Sequence, residues 1–367
     1  MKVTAAVATA PKAPLELREL ELADPAPDEV RVRLAATGVC HTDALVRDQV
    51  YPTPLPAVLG HEGAGVVEET GADVRGVRPG DHVVLSFNSC GACDNCAEGA
   101  PSYCRTLFEL NFGGRRPDGT TPLLDGGEPV SAPFFGQSSF SERANVAARS
   151  LVRVDPDLPL DVLAPLGCGV LTGAGAVFNT LRPPAGSSLA VFGTGAVGAS
   201  ALLAALASGC TTVIAVDVLE PRLELARTLG ATHTVNAAAE DPVARVQELT
   251  AGRGVDYALE ATGLPGVLRQ AADALALRGT VGLVGASAPG TETSFETGMS
   301  LTKGWTLRTI VEGDAVPHLF VPRLIELWQQ GRFPFDKLIT AYPFARINEA
   351  FHDSATGAAV KPVLTFG

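Results

Sequence analysis

Short apolar runs broken by Gly, Pro and Asp fill the first 150 residues of the chain. Glu29-Val-Arg-Val-Arg-Leu34, Gly65-Val-Val-Glu68 and Asp81-His-Val-Val-Leu85 alternate over a few positions and then turn. That pattern predicts strands, and residues 1–14 read as the first of them. From about Gly169 the pattern changes. Residues 188–192 are apolar after Ser188, as a strand buried on both faces reads, residues 196–208 have the length of a helix, and residues 212–216 are a second strand. A helix over 221–229 follows with Pro at an early position, where its missing N–H does no harm. Strands at 232–235, 257–260 and 280–284 then alternate with helical stretches, which predicts a parallel sheet covered on both faces. A helix over 317–330 leads to a strand-like end at 360–366. The expected fold class is therefore α/β. A β-rich domain over 1–169 resumes at 310–367, and a doubly wound domain over 170–309 interrupts it.

Composition narrows this picture. Hydrophobic residues make up 46% of the 367 and charged residues 19%, a balance that excludes intrinsic disorder. Acids outnumber bases 40 to 28, for a net charge of −12, so no nucleic acid partner is expected. Between Arg182 and Asp217 no charge occurs, a length that spans a bilayer. However, that stretch contains two prolines and five glycines and divides into strand, helix and strand, so no membrane partner is expected. The N-terminal residues lack a signal-peptide core, and a reducing cytoplasm is the expected setting.

Within the predicted parallel sheet, Gly193-Thr-Gly195-Ala-Val-Gly198 matches G-x-G-x-x-G. Alone this is a weak signal in a chain with 39 glycines. Here it follows an apolar strand and opens an Ala/Leu helix, and Asp217 closes the next strand, the arrangement of a dinucleotide-binding turn. Free N–H groups at the helix start suit a pyrophosphate. Asp217 suits ribose hydroxyls and repels a 2′-phosphate, which favours NAD. A structural turn without ligand is the bland alternative.

The seven cysteines fall into two kinds. Cys90, Cys93, Cys96 and Cys104 form C-x2-C-x2-C-x7-C, which closes a tetrahedral shell of four thiolates around a structural zinc. Disulfides are an alternative. So is an iron–sulfur cluster, although a ferredoxin-type run needs x3 and a following Pro where this chain has x7 and Arg105. Cys40, in Gly38-Val-Cys-His-Thr-Asp43, and Cys168, in Gly167-Cys-Gly169, stand apart, with Gly60-His61-Glu62 between them. Two thiolates and one imidazole make an open shell with a fourth position free, the composition of a catalytic zinc site. Each residue taken singly is more often a packed one. Cys210 reads as a small buried residue.

Gly60-His61-Glu62 with Gly65, Gly71 and Val74 resembles the zinc signature of the medium-chain alcohol dehydrogenases. The resemblance covers the whole chain. Cys40-His-Thr-Asp43, Val46-Arg-Asp-Gln49, Gly167-Cys-Gly-Val-Leu-Thr-Gly-Ala-Gly175 and Phe333-Pro-Phe-Asp-Lys337 look most like the NAD-dependent aryl (benzyl) alcohol dehydrogenase branch. It implies a GroES-like catalytic domain and a Rossmann coenzyme domain, with two zinc ions per chain. Cys40, His61 and Cys168 match the catalytic zinc ligands. Glu62 matches an acid behind the metal, Asp43 the carboxylate that orients the ligand imidazole, and Thr42 the hydroxyl that receives the substrate proton. Thr172 and Val197 match nicotinamide contacts, His41 and Lys361 basic residues near the pyrophosphate, and Arg222 a basic residue near the adenosine ribose. Where many relatives carry a relay histidine, this chain has Leu45, and His41 or water is the expected next proton acceptor.

Six of the 15 Phe lie between residues 87 and 140. They suit an aromatic-walled pocket for benzylic or allylic primary alcohols, with Phe87 and Phe134 the candidates the resemblance favours. Ordinary core packing is the alternative. Residues 111–133 read as a long surface loop. The expected partner is a small alcohol or aldehyde, and β-branched residues near 306–311 suggest an edge for a homodimer or homotetramer. A polyol or secondary-alcohol dehydrogenase of the same fold, or a non-catalytic nucleotide-binding protein, are the competing readings.

Overall fold

A computed structural model describes residues 1–367, which divide into two units. The first holds residues 1–168, 316–324 and 339–367, and the second 169–315 and 325–338. The return to the first unit thus falls at 316 and is interrupted, because residues 325–338 group with the second unit.

The first unit is built on two sheets. One has five strands in the order Ala57–Val58, Lys2–Ala8, Glu16–Leu22, Leu123–Asp125, Glu128–Val130. The other runs Leu151–Val154, His82–Leu85, Gly63–Thr70, Glu29–Gly38, Lys361–Thr365, Ile339–Pro343, with Arg143–Ala147 also paired to Glu29–Gly38. Val30, Val32 and Leu34 alternate inward along Glu29–Gly38 and meet Val67, Val83, Leu85 and Val146 in one apolar cluster. Residues 111–133 are not a plain surface loop. Leu123–Asp125 and Glu128–Val130 pair as a hairpin across Gly126-Gly127, both at positive φ, so Gly supplies a turn other residues resist. Arg116 then ties the segment down, with Nε and Nη2 donating to Glu29 at 2.8 and 2.6 Å. The two side chains are only 13% and 6% exposed. Arg116→Ala, which strands that carboxylate, should lower unfolding stability by about 3 kcal/mol. Denaturant titration checks this.

The second unit carries a six-stranded, wholly parallel sheet. Its order is His233–Asn236, Thr212–Asp217, Ser188–Phe192, Val255–Glu260, Leu275–Leu283, Thr306–Thr309. The chain moves outward one way from Ser188–Phe192 and then restarts on its other side. The C-terminal ends of Ser188–Phe192 and Val255–Glu260 therefore flank the switch point, where open parallel sheets bind ligands. The helix Ala196–Ala207 has Gly198 to Ala205 buried, so its small and apolar residues serve packing on all sides. Thr306–Thr309 is an edge strand, exposed at every residue.

No single helix is long and apolar enough to cross a membrane.

Candidate metal centres and coenzyme turn

In the first unit, Cys40 stands where strand Glu29–Gly38 gives way to the helix His41–Arg47. Asp43, wholly buried, occupies the third position of that helix and accepts the Cys40 N–H at 3.0 Å. Its other oxygen accepts the Gly60 N–H at 3.1 Å and pairs with His61 Nδ1 at 2.8 Å. Nδ1 is thereby the donor, and the Nε2 lone pair is left free to coordinate. Gly60 makes the approach feasible, since at φ +89° a Cβ there would lie 2.5 Å from the Phe140 nitrogen. Cys168 arrives from the far end of the unit's first segment. The donor atoms of Cys40, His61 and Cys168 lie within 4.8 Å of one another.

These residues fit a zinc ion. His61 is 0% exposed, and its Nε2 is buried without a hydrogen-bond partner. An orphaned nitrogen aimed at two thiols is what a borderline-soft ion satisfies. The Cys168 hydrogen bond holds the Cys40 thiol well below the usual thiol range, burial opposes it, and the His61 imidazole reinforces it.

Behind the ligands, Glu62 accepts two hydrogen bonds from Lys361 Nζ, at 2.9 and 2.8 Å, and the same ammonium donates to the Val39 carbonyl at 3.1 Å. Gly38 makes room for this pair, because a Cβ there would fall 1.9 Å from Glu62 Oε2. Burial pushes the Glu62 carboxyl up while the ammonium opposes it. Burial likewise works against the Lys361 charge, but the facing Glu62 keeps its pKa above the usual lysine range. Lys361, expected beside a pyrophosphate, is 1% exposed, and in this structure its donors go to Glu62 and Val39. His41 is exposed; Thr42 and Leu45 are half-buried on the same helix.

Two rings enclose the imidazole. Phe134 meets His61 edge-on at 5.4 Å, and Phe135 stacks on it at 4.5 Å with planes 29° apart. Phe134 and Phe87 are both buried in the larger apolar cluster of the unit, and Phe112 touches both Phe134 and Phe135. The sequence favoured Phe87 and Phe134 and gave Phe135, one of the six phenylalanines between residues 87 and 140, no special place. The Phe135 ring reaches the imidazole from a backbone at φ +51°, a conformation no pattern announces.

The donor atoms of Cys90, Cys93, Cys96 and Cys104 also lie within 4.8 Å of one another, and all seven cysteines are free of disulfides. Backbone N–H groups of Ala92 and Cys93 donate to Cys90 Sγ at 3.4 and 3.3 Å, and the Cys90 N–H donates to Cys104 Sγ at 3.2 Å. The Ala92 and Cys93 N–H groups hold the Cys90 thiol below its ordinary range, toward the thiolate that a zinc ion needs, while burial pushes the Cys96 thiol up to about 12.

In the second unit, the residues after strand Ser188–Phe192 form a tight turn. Gly193 has φ +89°, and a Cβ on Gly198 would lie 1.8 Å from the Gly193 oxygen, so only glycine closes the turn onto the helix. Around Gly195 nothing lies within 4 Å of a Cβ position. That open side at a helix N-terminus fits a diphosphate. Asp217 Oδ2 accepts the Thr194 N–H at 2.7 Å and its hydroxyl at 2.9 Å, while Oδ1 accepts the N–H groups of Val218 and Leu219 at 2.8 and 3.0 Å. The brace on Thr194 was not legible in the sequence. Arg222 Nη1 stands 3.8 Å from Asp217. Thr172 and Val197 are brought close by their helices, since a Cβ on Gly173 would touch the Val197 oxygen at 2.0 Å.

The chain is similar to known proteins over nearly its whole length. Residues 26–156 match the alcohol dehydrogenase GroES-like domain, and residues 196–329 match the zinc-binding dehydrogenase family. A geraniol dehydrogenase of Castellaniella defragrans is 49% identical over 355 residues, covering 96% of this chain and 95% of the relative. A crystal structure of an alcohol dehydrogenase zinc-binding domain protein from Burkholderia ambifaria superposes with a TM-score of 0.97 at 53% identity, covering 100% of this chain and 99% of the other. Benzyl alcohol dehydrogenase from Acinetobacter calcoaceticus gives 0.96 at 46% identity, with both chains fully covered.

Proposed function

The chain belongs to the zinc-binding alcohol dehydrogenases, and from that premise we propose that it interconverts aromatic or allylic primary alcohols and their aldehydes. NAD is the hydride acceptor and two zinc ions are held per chain. The observation that carries this reading is the orphaned His61 Nε2 facing the thiols of Cys40 and Cys168. Three donors leave a fourth position for an alcohol, whereas the four cysteines of the other cluster leave none. The names of two similar proteins, geraniol dehydrogenase and benzyl alcohol dehydrogenase, support the choice of alcohol.

When bound, zinc would supply a Lewis acid for the alcohol oxygen and a nicotinamide coenzyme would supply the hydride acceptor. The chain does the rest. Asp43 fixes the tautomer and angle of His61. The Thr42 hydroxyl takes the alcohol proton and passes it to His41 or to water. Phe134 and Phe135 keep water from the imidazole's faces and present apolar surface to the alcohol. In the second unit the turn at Gly193–Gly198 seats the diphosphate and Asp217 the adenosine ribose, with Arg222 beside it. Thr172 and Val197 serve the nicotinamide end.

Leu45→His places a titrating group three residues beyond Thr42. The low-pH limb of the kcat profile should then move, as protonation of the new imidazole blocks proton acceptance. A flat limb would mean that the proton leaves by another route.

The exposed edge strand Thr306–Thr309 suits pairing with a second copy, so we infer a homodimer, or a homotetramer built from it; seven cysteines free of disulfides favour the reducing cytoplasm.

An NAD+-reduction screen across benzyl, cinnamyl and terpene alcohols, with glucitol, 2-butanol and NADP+ as controls, tests the whole reading. Benzyl and allylic alcohols should lead. Faster turnover of glucitol or 2-butanol than of benzyl alcohol overturns the substrate assignment.

A further inference from the structure

Asp43 braces Cys40 to His61, and a second buried set of hydrogen bonds leads from His61 toward Cys168. We propose that Gln137 and Ser86 are positioning residues that set the spacing of His61 and Cys168 and so keep zinc in the open site. The inference rests on the zinc reading of Cys40, His61 and Cys168.

Gln137 is 1% exposed and Ser86 0%. The Gln137 amide brackets the ligand histidine: Nε2 donates to the His61 carbonyl at 3.0 Å, and Oε1 accepts the Gly63 N–H at 3.1 Å. The same Nε2 donates to the Ser86 carbonyl at 3.2 Å. Ser86 Oγ then donates to the Gly167 carbonyl at 2.6 Å, one residue before Cys168. Gly167 lies tight against this strand, since a Cβ there would meet the Leu85 oxygen at 2.0 Å. A line of bonds therefore runs from one metal ligand's backbone to the neighbour of another.

The segment that carries Gln137 is itself pinned to the residues that lead into the histidine. Phe140 N–H donates to Leu59 O at 3.0 Å, Ser139 N–H to Gly60 O at 2.9 Å, and Ser138 Oγ to Val58 O at 2.7 Å. Phe135 and Ser138 adopt φ of +51° and +54°. Left-handed backbone at two non-glycine residues is unfavourable and persists where its surroundings over-determine it. Buried amides commonly do no more than satisfy carbonyls. This one satisfies the carbonyl of a metal ligand and, through one serine, reaches the peptide that precedes another.

The experiment uses the full holoenzyme and follows zinc release to a colorimetric chelator. The zinc of Cys90, Cys93, Cys96 and Cys104 is the internal control. In Gln137→Met and Ser86→Ala, release of one ion should accelerate by about 10–100-fold, the usual effect of losing a ligand's supporting hydrogen bonds, while the other leaves at the wild-type rate. Ser86→Thr, which keeps the hydroxyl, should restore slow release. With cobalt in the open site, the visible d–d bands should shift in the first two variants and not in the third. Should Gln137→Met fail to fold, the Ser86→Ala and Ser86→Thr pair decides alone. Both ions leaving at wild-type rates, both accelerating alike, or Ser86→Thr behaving as Ser86→Ala each overturns the proposal. A wild-type protein that releases only one ion overturns the underlying zinc reading instead.

Discussion

Cys168→Ala should give a folded protein that holds one zinc ion per chain and oxidises benzyl alcohol at least about a thousandfold more slowly. The magnitude follows from the chemistry. Lewis-acid stabilisation of developing oxygen charge is worth several kcal/mol, and each 1.36 kcal/mol is a factor of ten in rate. Two remaining donors, Cys40 and His61, cannot replace the third, because the neighbouring carboxylates are both engaged, Asp43 with His61 Nδ1 at 2.8 Å and Glu62 with Lys361 at 2.8 Å. Folding should survive. Cys168 is buried, but Ala is smaller and the four-cysteine cluster is separate. Zinc counting by atomic absorption, initial rates and a thermal melt check the three parts together. Retention of two ions with unchanged turnover would remove Cys168 from the catalytic shell.

The alternation of strands and helices in the second unit was legible because parallel strands are buried on both faces and read as plain apolar runs. Ser188–Phe192 lies where the apolar run Leu189–Phe192 places it. The helix Gly169–Gly175 was not legible, since its sequence Gly-Val-Leu-Thr-Gly-Ala-Gly is poor in helix formers. Tertiary contact overrides that weakness. A Cβ at Gly173 or Gly175 would strike the Val197 or Gly313 oxygen at 2.0 or 2.2 Å, so the glycines are there for close packing.

The candidate metal ligands showed themselves because Cys and His at motif spacing carry chemistry in their identity. Their supports did not. Gln137 and Ser86 act on backbone carbonyls, which exist at every position, so nothing in the sequence marks which carbonyl they reach. Lys361 illustrates the same limit from the other side. The resemblance placed it near a pyrophosphate, but the room left by Gly38 and the Glu62 carboxylate determines where its ammonium points here.

Asp217→Ala should lower the preference for NAD+ over NADP+, measured as the ratio of kcat/KM values, by about a hundredfold or more. The carboxylate is 6% exposed and its charge is offset only by Arg222 at 3.8 Å. A 2′-phosphate brought against it meets like charge, a penalty of several kcal/mol, and about 1.4 kcal/mol corresponds to each tenfold. Removing the charge lifts that penalty and lets Arg222 face the phosphate instead. The structure adds a second effect. Asp217 already accepts four hydrogen bonds, from Thr194 N, Thr194 Oγ1, Val218 N and Leu219 N. Of these only the Thr194 hydroxyl can rotate away, so it is the donor that a sugar hydroxyl displaces. Alanine leaves the Thr194 N–H without its acceptor and loosens the Gly193–Gly198 turn, so KM for NAD+ should rise as well. Arg222→Ala in the same background separates the two effects. If Arg222 contacts the phosphate, the gain with NADP+ disappears while the weakened NAD+ binding remains. An unchanged coenzyme ratio in Asp217→Ala would place the selection between the two coenzymes elsewhere in the chain.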